Sequence, residues 1–196
     1  MEIIIHRINK VKELKKIDIK FGTEIDIRTK NSKLILNHEP YSTGDTLINY
    51  LDEYKHGTLI LNIKESGIED DVIKIIKKYK KINKYFLLDV EMPYIFKCLK
   101  NNEKNIAIRI SDYENINSTK KFVNKLNWVW IDTYKSFPIK NQKDVKSISS
   151  FKKCLVCPER WGRKKDIVIY KNKLKSLKLD LDAVMTSYKT SNFWIK

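Results

Sequence analysis

The sequence TLILNIKESGIEDDVIKIIKKYKKINKYFLLDV, residues 58–90, contains the repeating pattern that decides the fold. It begins and ends with apolar runs, 58–64 and 85–90, that have the length and composition of buried β-strands. Between them, Val72, Ile73 and Ile76 recur at helical spacing, and acidic residues start the segment, as a helix dipole prefers. A strand, a helix and a second strand in this order predict parallel pairing through a right-handed crossover.

Apolar runs of the same kind recur along the whole chain, and eight of them are bounded by polar or turn residues. They are EIIIHR (2–7), GTEIDIR (22–28), TLILNIK (58–64), YFLLDV (85–90), NIAIRIS (105–111), WVWID (128–132), CLVCPE (154–159) and AVMTS (183–187). Helical patterns cover the intervening segments 45–55, 69–85, 93–102, 118–127, 142–151 and 164–179. This order predicts an α/β fold, a compact (β/α)8 TIM barrel forming a single domain over 1–196, with an open doubly wound sheet as the alternative. A ninth run, KLILNH (33–38), predicts an extra hairpin-like strand after the second one.

The chain is strongly basic, with 40 Lys and Arg against 24 Asp and Glu and a formal net charge of +16. Such a charge can indicate a nucleic-acid partner. Only five of the basic residues are arginines, the side chain that phosphate- and base-reading surfaces favour, and no nucleic-acid-binding motif accompanies them. We therefore interpret most of the charge as solvated lysine on helix faces and do not predict a nucleic-acid partner.

The remaining composition points to a cytoplasmic protein. No apolar run approaches the roughly 20 residues that cross a bilayer, so no membrane span is expected. The amino-terminal stretch MEIIIHR lacks the pattern of a signal peptide. Cys154 and Cys157 form a C-x-x-C, but they lie in an apolar strand-like run, so we interpret them as reduced core residues.

Polar side chains lie near the carboxyl ends of the predicted strands, where a barrel of this kind has its active site. Glu24 and Asp26 share one face of their strand, so two carboxylates enter the barrel together. Buried carboxylates need a compensating partner, and closely placed oxygen ligands predict one hard divalent cation, Mg2+ or Ca2+. The alternative is an internal salt-bridge network with Arg28, Lys64 and Arg109.

Two of the three histidines, His6 and His38, each close a strand-like run near these carboxylates. A lone histidine on a strand would be interpreted as structural. Two imidazoles beside a carboxylate pair and a set of Arg and Lys side chains favour an acid–base pair instead.

H-R at 6–7, G-T-E-I-D-I-R at 22–28 and N-H-E-P at 37–40 together resemble the opening signature of glycerophosphodiester phosphodiesterases. In that family the order is H-R-G, then G-x-E-x-D, then H-D, on a compact TIM barrel. L-N-I-K at 61–64 lies where the family has E-x-K, and the later C-P-E and A-V-M-T are similar to its last two strand signatures. The resemblance covers essentially the whole chain and is weaker in its second half. It is greatest to short relatives often linked with bacterial cell-surface polysaccharide loci.

The resemblance implies a metal-dependent hydrolase of a glycerol- or sugar-linked phosphodiester, a small-molecule substrate. It implies that His6 and His38 act as general base and general acid, with water or a neighbouring substrate hydroxyl as nucleophile. The metal ligands would be Glu24, Asp26 and Asn62. The phosphate oxygens would be neutralised by Arg7 and Lys64, to which we add Arg109 from its place near a strand end.

Three positions depart from the family pattern. Ile8 replaces the glycine after H-R, and Glu39 replaces the aspartate after the second histidine. Asn62 replaces a third metal-binding glutamate, which removes one negative charge and predicts weaker metal binding or a different divalent ion. A catalytically silent barrel that binds a phosphorylated ligand is the alternative function.

Overall fold

The computed structural model describes residues 1–195, in which nine strands and six α-helices alternate along the chain. The strands are β1 (Glu2–Ile5), β2 (Gly22–Lys30), β3 (Lys33–Leu36), β4 (Leu59–Ile63), β5 (Tyr85–Leu88), β6 (Ala107–Ile110), β7 (Trp128–Ile131), β8 (Lys152–Val156) and β9 (Ala183–Thr186). The helices are α1 (Val11–Leu14), α2 (Leu47–Glu53), α3 (Glu69–Ile76), α4 (Met92–Lys100), α5 (Gln142–Ser147) and α6 (Asp166–Ser176). Short 3₁₀ helices, Ile116–Phe122, Pro158–Trp161 and Tyr188–Phe193, follow β6, β8 and β9.

Eight parallel strands alternate with helices, which confirms the predicted (β/α)8 class. Each of the eight predicted runs forms one of these strands, and the run 33–38 forms β3. The chain divides into two compact units, residues 4–96 and residues 1–3 with 97–195.

In the unit of residues 4–96, the strand order is β5-β4-β2-β1, and all of these pairings are parallel. β3 pairs antiparallel with β2, from Ile27 opposite Leu36 to Lys30 opposite Lys33, which confirms the predicted hairpin. The register of β2 with β4 sets Asp26 beside Asn62. On α3, Val72 and Ile76 are buried and Ile73 is half-buried, so the helical periodicity identified the buried face of the helix.

In the unit of residues 1–3 and 97–195, strands β9, β8, β7 and β6 pair parallel in that order. The N–H of Glu2 donates to the carbonyl of Asp182 at 2.7 Å, beside the start of β9. Cys154 and Cys157 are buried and form no disulfide, as predicted. Burial raises the pKa of the Cys154 thiol well above its ordinary value, which disfavours the reactive thiolate.

Most of the helices are shorter than the patterns that predicted them, and two segments differ most. The segment 69–85 is α-helical only to Ile76. The segment 118–127 overlaps the 3₁₀ helix Ile116–Phe122 and forms no α-helix. Just after this 3₁₀ helix, Asn124 adopts a left-handed φ of 60°. None of the helices within residues 1–195 has both the length and the apolar character required to cross a membrane.

Candidate functional site

Glu24 and Asp26 lie two residues apart on β2, and each is only 1% exposed. Asn62 on β4 donates from Nδ2 to Glu24 Oε1 at 2.8 Å, and the backbone N–H of Arg7 donates to Glu24 Oε2 at 2.8 Å. The structure therefore brings together the three side chains that the sequence assigned to a metal. Alternation along β2 places both carboxylates on one face, and the register with β4 supplies the asparagine.

Burial of Glu24, reinforced by the negative charge of Asp26, raises the pKa of the Glu24 carboxyl to about 7. Hydrogen bonds from Asn62 and from the Arg7 N–H, and the positive charge of Lys64, oppose this rise without cancelling it. Near neutral pH, this side chain is therefore divided between the protonated and ionised forms.

Asp26 is held by a side chain that the sequence analysis did not identify. Asn9 donates from Nδ2 to Asp26 Oδ2 at 2.8 Å, and Asn9 Oδ1 accepts the backbone N–H of Asp26 at 2.8 Å. Asn9 is itself buried. Its place in the loop that follows β1 was the one available signal, because polar residues that follow barrel strands face the active-site end.

Two cations approach the same carboxylate of Asp26. Lys64 Nζ lies 3.5 Å from Oδ1, and Arg7 Nε lies 3.5 Å from Oδ2. Lys64 Nζ also lies 3.4 Å from Asp89 Oδ2, just after β5. Arg7 has a left-handed φ of 57°, and from this position its N–H contacts Glu24 while its side chain contacts Asp26.

The two histidines differ in their partners. His6 Nε2 lies 3.9 Å from Glu24 Oε2, with the side chain 15% exposed. His38 Nδ1 lies 2.7 Å from Glu39 Oε1, and its side chain is 38% exposed. The hydrogen bond from His38 lowers the pKa of the Glu39 carboxyl, which favours a charged carboxylate beside the imidazole. Glu39 thereby orients His38 through one ring nitrogen and leaves Nε2 for other chemistry.

Arg28 holds the backbone around the site and forms its hydrogen bonds with carbonyl groups there, not with Glu24 or Asp26. Its Nε donates to the carbonyl of His38 at 3.0 Å, and its Nη1 donates to the carbonyl of Lys64 at 2.9 Å. The predicted salt-bridge network is thus present only in part, through Lys64. Arg109 belongs to the other compact unit, where its guanidinium pairs with Asp132 and Glu114. Its part in phosphate binding stays a prediction.

A cavity of about 1080 Å³ opens beside these residues within the same unit. Arg7, Asn9, His38 and Glu39 line it together with α1 and the segment 43–45. The cavity is large enough for a drug-sized ligand and places two of the predicted site residues at its wall.

The metal that the family resemblance implies can be tested against this chemistry. Glu24 and Asp26 offer carboxylate oxygens, and Asn62 Oδ1 is buried with no hydrogen-bond partner among the described residues. Two carboxylates and an unpartnered amide oxygen fit one hard divalent cation. In residues 1–195, His, Cys, Asp and Glu side chains form no metal-competent group of three or more, so the ligand set depends on the asparagine.

Comparison with known proteins finds the same fold. No protein-family model and no curated protein sequence matches the chain. Among solved structures, it is similar to a glycerophosphoryl diester phosphodiesterase from Parabacteroides distasonis, with a TM-score of 0.60 and 13% identity over 94% of this chain and 81% of that one. It is also similar to a putative glycerophosphoryl diester phosphodiesterase from Agrobacterium tumefaciens, with a TM-score of 0.60 and 10% identity over 95% and 93%. The likeness confirms the fold that the motifs predicted.

Proposed function

We propose that the protein hydrolyses a phosphodiester at a site formed by His6, Arg7, Glu24, Asp26, His38, Asn62 and Lys64. The observation that carries the proposal is the buried Glu24–Asp26 pair, with an imidazole, an ammonium and a guanidinium within 4 Å of its oxygens. Hydrophobic packing does not require such a set of buried carboxylates and neighbouring cations. The fold that holds it is shared with glycerophosphoryl diester phosphodiesterases.

Arg7 and Lys64 supply positive charge for the phosphate. Both contact Asp26, and Lys64 also contacts Asp89, so each cation is held before any ligand binds. Preorganised cations stabilise the charge that develops on phosphate oxygens in the transition state, and this is a large part of phosphoryl-transfer catalysis.

His6 and His38 share the proton transfers. One imidazole accepts the proton of the nucleophile, which is water or a neighbouring hydroxyl of the substrate. The other donates a proton to the leaving alkoxide as the P–O bond breaks, so the proton count balances over the reaction. Glu39 holds His38 in one tautomer, and Glu24 lies near His6 to stabilise its charged form.

One divalent cation, Mg2+ or Ca2+, would be held by Glu24, Asp26 and Asn62. When bound, it would supply Lewis-acid polarisation of the phosphate. The substrate class that fits is a glycerol- or sugar-linked diester, and we place the activity in cell-surface polysaccharide or lipid metabolism on the strength of the sequence resemblance.

Hydrolysis of bis-(p-nitrophenyl) phosphate and of glycerophosphoglycerol, with EDTA or with added Mg2+, Mn2+ or Ca2+, tests the proposal. We expect His6→Ala and His38→Ala each to lower the rate at least about 100-fold, the order of general acid–base catalysis. His56→Ala is the matched control, because His56 Nε2 pairs with the carbonyl of Ile17 outside the site.

The silent barrel remains the second candidate because Asn62 removes a ligand charge. Phosphodiester binding without turnover under every metal condition would support it and contradict hydrolysis. Equal rates in His6→Ala, His38→Ala and His56→Ala would likewise contradict the assigned roles.

A further inference from the structure

Three aromatic side chains form a chain of ring contacts in the unit of residues 1–3 and 97–195. Tyr113 follows β6, Tyr134 follows β7 and Trp161 follows β8. The ring centroids of Tyr113 and Tyr134 are 5.6 Å apart, and those of Tyr134 and Trp161 are 4.5 Å apart. Their exposed fractions are 65%, 46% and 41%. Core packing does not account for rings this exposed, and we call these three residues the aromatic cluster.

Two carboxylates, those of Asp132 and Asp112, hold the cluster in place. Trp161 Nε1 donates to Asp132 Oδ1 at 3.0 Å, and Asp132 is buried. The loop that carries Tyr134 is fixed by Asp112 Oδ2, which accepts the backbone N–H groups of residues 135 and 136 at 2.8 and 2.9 Å. Rings held in advance lose little conformational entropy when a ligand binds, which is the usual property of a binding surface.

Tyr113 also lines a cavity of about 460 Å³, within the size range of small-ligand sites. The other walls are mostly polar. They include the amides Asn115, Asn117 and Asn141 and the hydroxyl of Ser111. Such groups donate and accept hydrogen bonds as a polyhydroxylated ligand requires.

Charges of both signs surround the cavity, in contrast to the basic chain as a whole. Asp112, Glu114 and Asp144 line the cavity together with Lys140. Glu114 also pairs with Arg109, and Lys135 Nζ lies 5.0 Å from the centroid of the Tyr113 ring. Single-stranded nucleic acids also stack on aromatic rings, but they need a positively charged groove. A wall without a clear excess of positive charge offers a phosphate group little electrostatic attraction, and it suits a neutral ligand.

We propose that the aromatic cluster and this cavity form a binding site for a neutral oligosaccharide. One sugar ring would pack its apolar C–H face on Tyr113, the residue that the cluster shares with the cavity, and its hydroxyls would bond with the amide and carboxylate groups there. A second ring would pack on Tyr134 and Trp161. The inference goes beyond the phosphodiesterase proposal and does not depend on it.

Fluorescence offers a direct test, because Trp161 is exposed while Trp128, Trp130 and Trp194 are at most 6% exposed. Quenching by acrylamide therefore reports mainly on Trp161. The probes are neutral oligosaccharides of glucose, of mannose and of N-acetylglucosamine. We expect at least one of them to protect Trp161 saturably, with a Kd in the millimolar range.

Tyr134→Ala should raise that Kd at least about tenfold, and Tyr41→Ala is the matched control. Tyr41 is 98% exposed and lies in the other unit, so its removal should leave the Kd unchanged. Calorimetry on Trp161→Phe, which keeps an aromatic ring but loses the Nε1 donor to Asp132, gives a second readout, with weaker sugar binding expected.

Failure of all three oligosaccharides to protect Trp161 would overturn the inference. So would unchanged affinity in Tyr134→Ala, or protection by oligothymidylate without protection by sugars. These probe sugars contain no phosphodiester, so this outcome is independent of the hydrolysis assays.

Discussion

The protonation of Glu24 makes the stability of the protein depend on pH in a defined direction. Its pKa is about 7 in the folded protein against an ordinary value of 4.5, so the folded state binds this proton more tightly than the unfolded chain does. Between these values the folded state carries more protons, and stability therefore falls as the pH rises. The contribution of Glu24 is fully present below about pH 4.5 and is lost by the time the pH has passed 7.

The size of the effect follows from the two pKa values. Each pKa unit corresponds to about 1.4 kcal/mol, so Glu24 accounts for about 3 kcal/mol across the window. This is a large part of the 5–15 kcal/mol that stabilises a typical domain. Glu24→Gln is the matched variant, because it is neutral at every pH and nearly the same shape.

Urea unfolding in EDTA, followed by circular dichroism from pH 4.5 to 8, measures both proteins. When the free energy of unfolding of Glu24→Gln is subtracted from that of wild type, the contributions of groups that titrate elsewhere cancel. As the pH rises, we expect wild type to lose about 3 kcal/mol of stability relative to Glu24→Gln. A difference that stays constant across the window would refute the assignment of a raised pKa to Glu24.

Two further predictions concern the metal ligands and the loop that carries His38. Asn62→Glu should bind Mg2+ or Ca2+ more tightly in calorimetry, because it restores a third carboxylate; an unchanged affinity would show that Asn62 is not at the ligand position. Gly44→Ala would place a Cβ against the carbonyl oxygen of Leu36, well inside van der Waals contact, so it should cost about 1–3 kcal/mol in urea unfolding and reduce hydrolysis. Gly67→Ala is the control, because an added Cβ there meets nothing within 4 Å and the only strain comes from the positive φ. It should cost less stability than Gly44→Ala, and a larger loss of stability would contradict the steric explanation.

The parts of the site that follow from strand geometry were predictable from the sequence. Alternation along β2 was enough to place Glu24 and Asp26 on one face, and the resemblance of L-N-I-K to the family's E-x-K implied that Asn62 lies near them. Strand period and parallel pairing are regular, so a pattern of residue types specifies which side chains meet.

The contacts made by turns were not predictable in this way. The two hydrogen bonds of Asn9 with Asp26 depend on the path of a turn in which Arg7 is left-handed, and no periodicity describes that path. The partners of Arg109 were missed for a related reason. Its place near a strand end predicted a cation that binds phosphate, but only the register of β6 with β7 shows that Asp132 lies within its reach.

Arg28 has a consequence for anyone who wishes to engineer this protein. One guanidinium fixes the backbone at His38 and at Lys64, so it ties together the starts of the two loops that leave β3 and β4, both of which pair with β2. Beyond those two anchor points, the segment 40–43 is exposed for most of its length and could be exchanged for a longer or differently charged one. Libraries that vary this segment and keep Arg28 would alter the wall of the 1080 Å³ cavity while leaving His38 and Lys64 anchored.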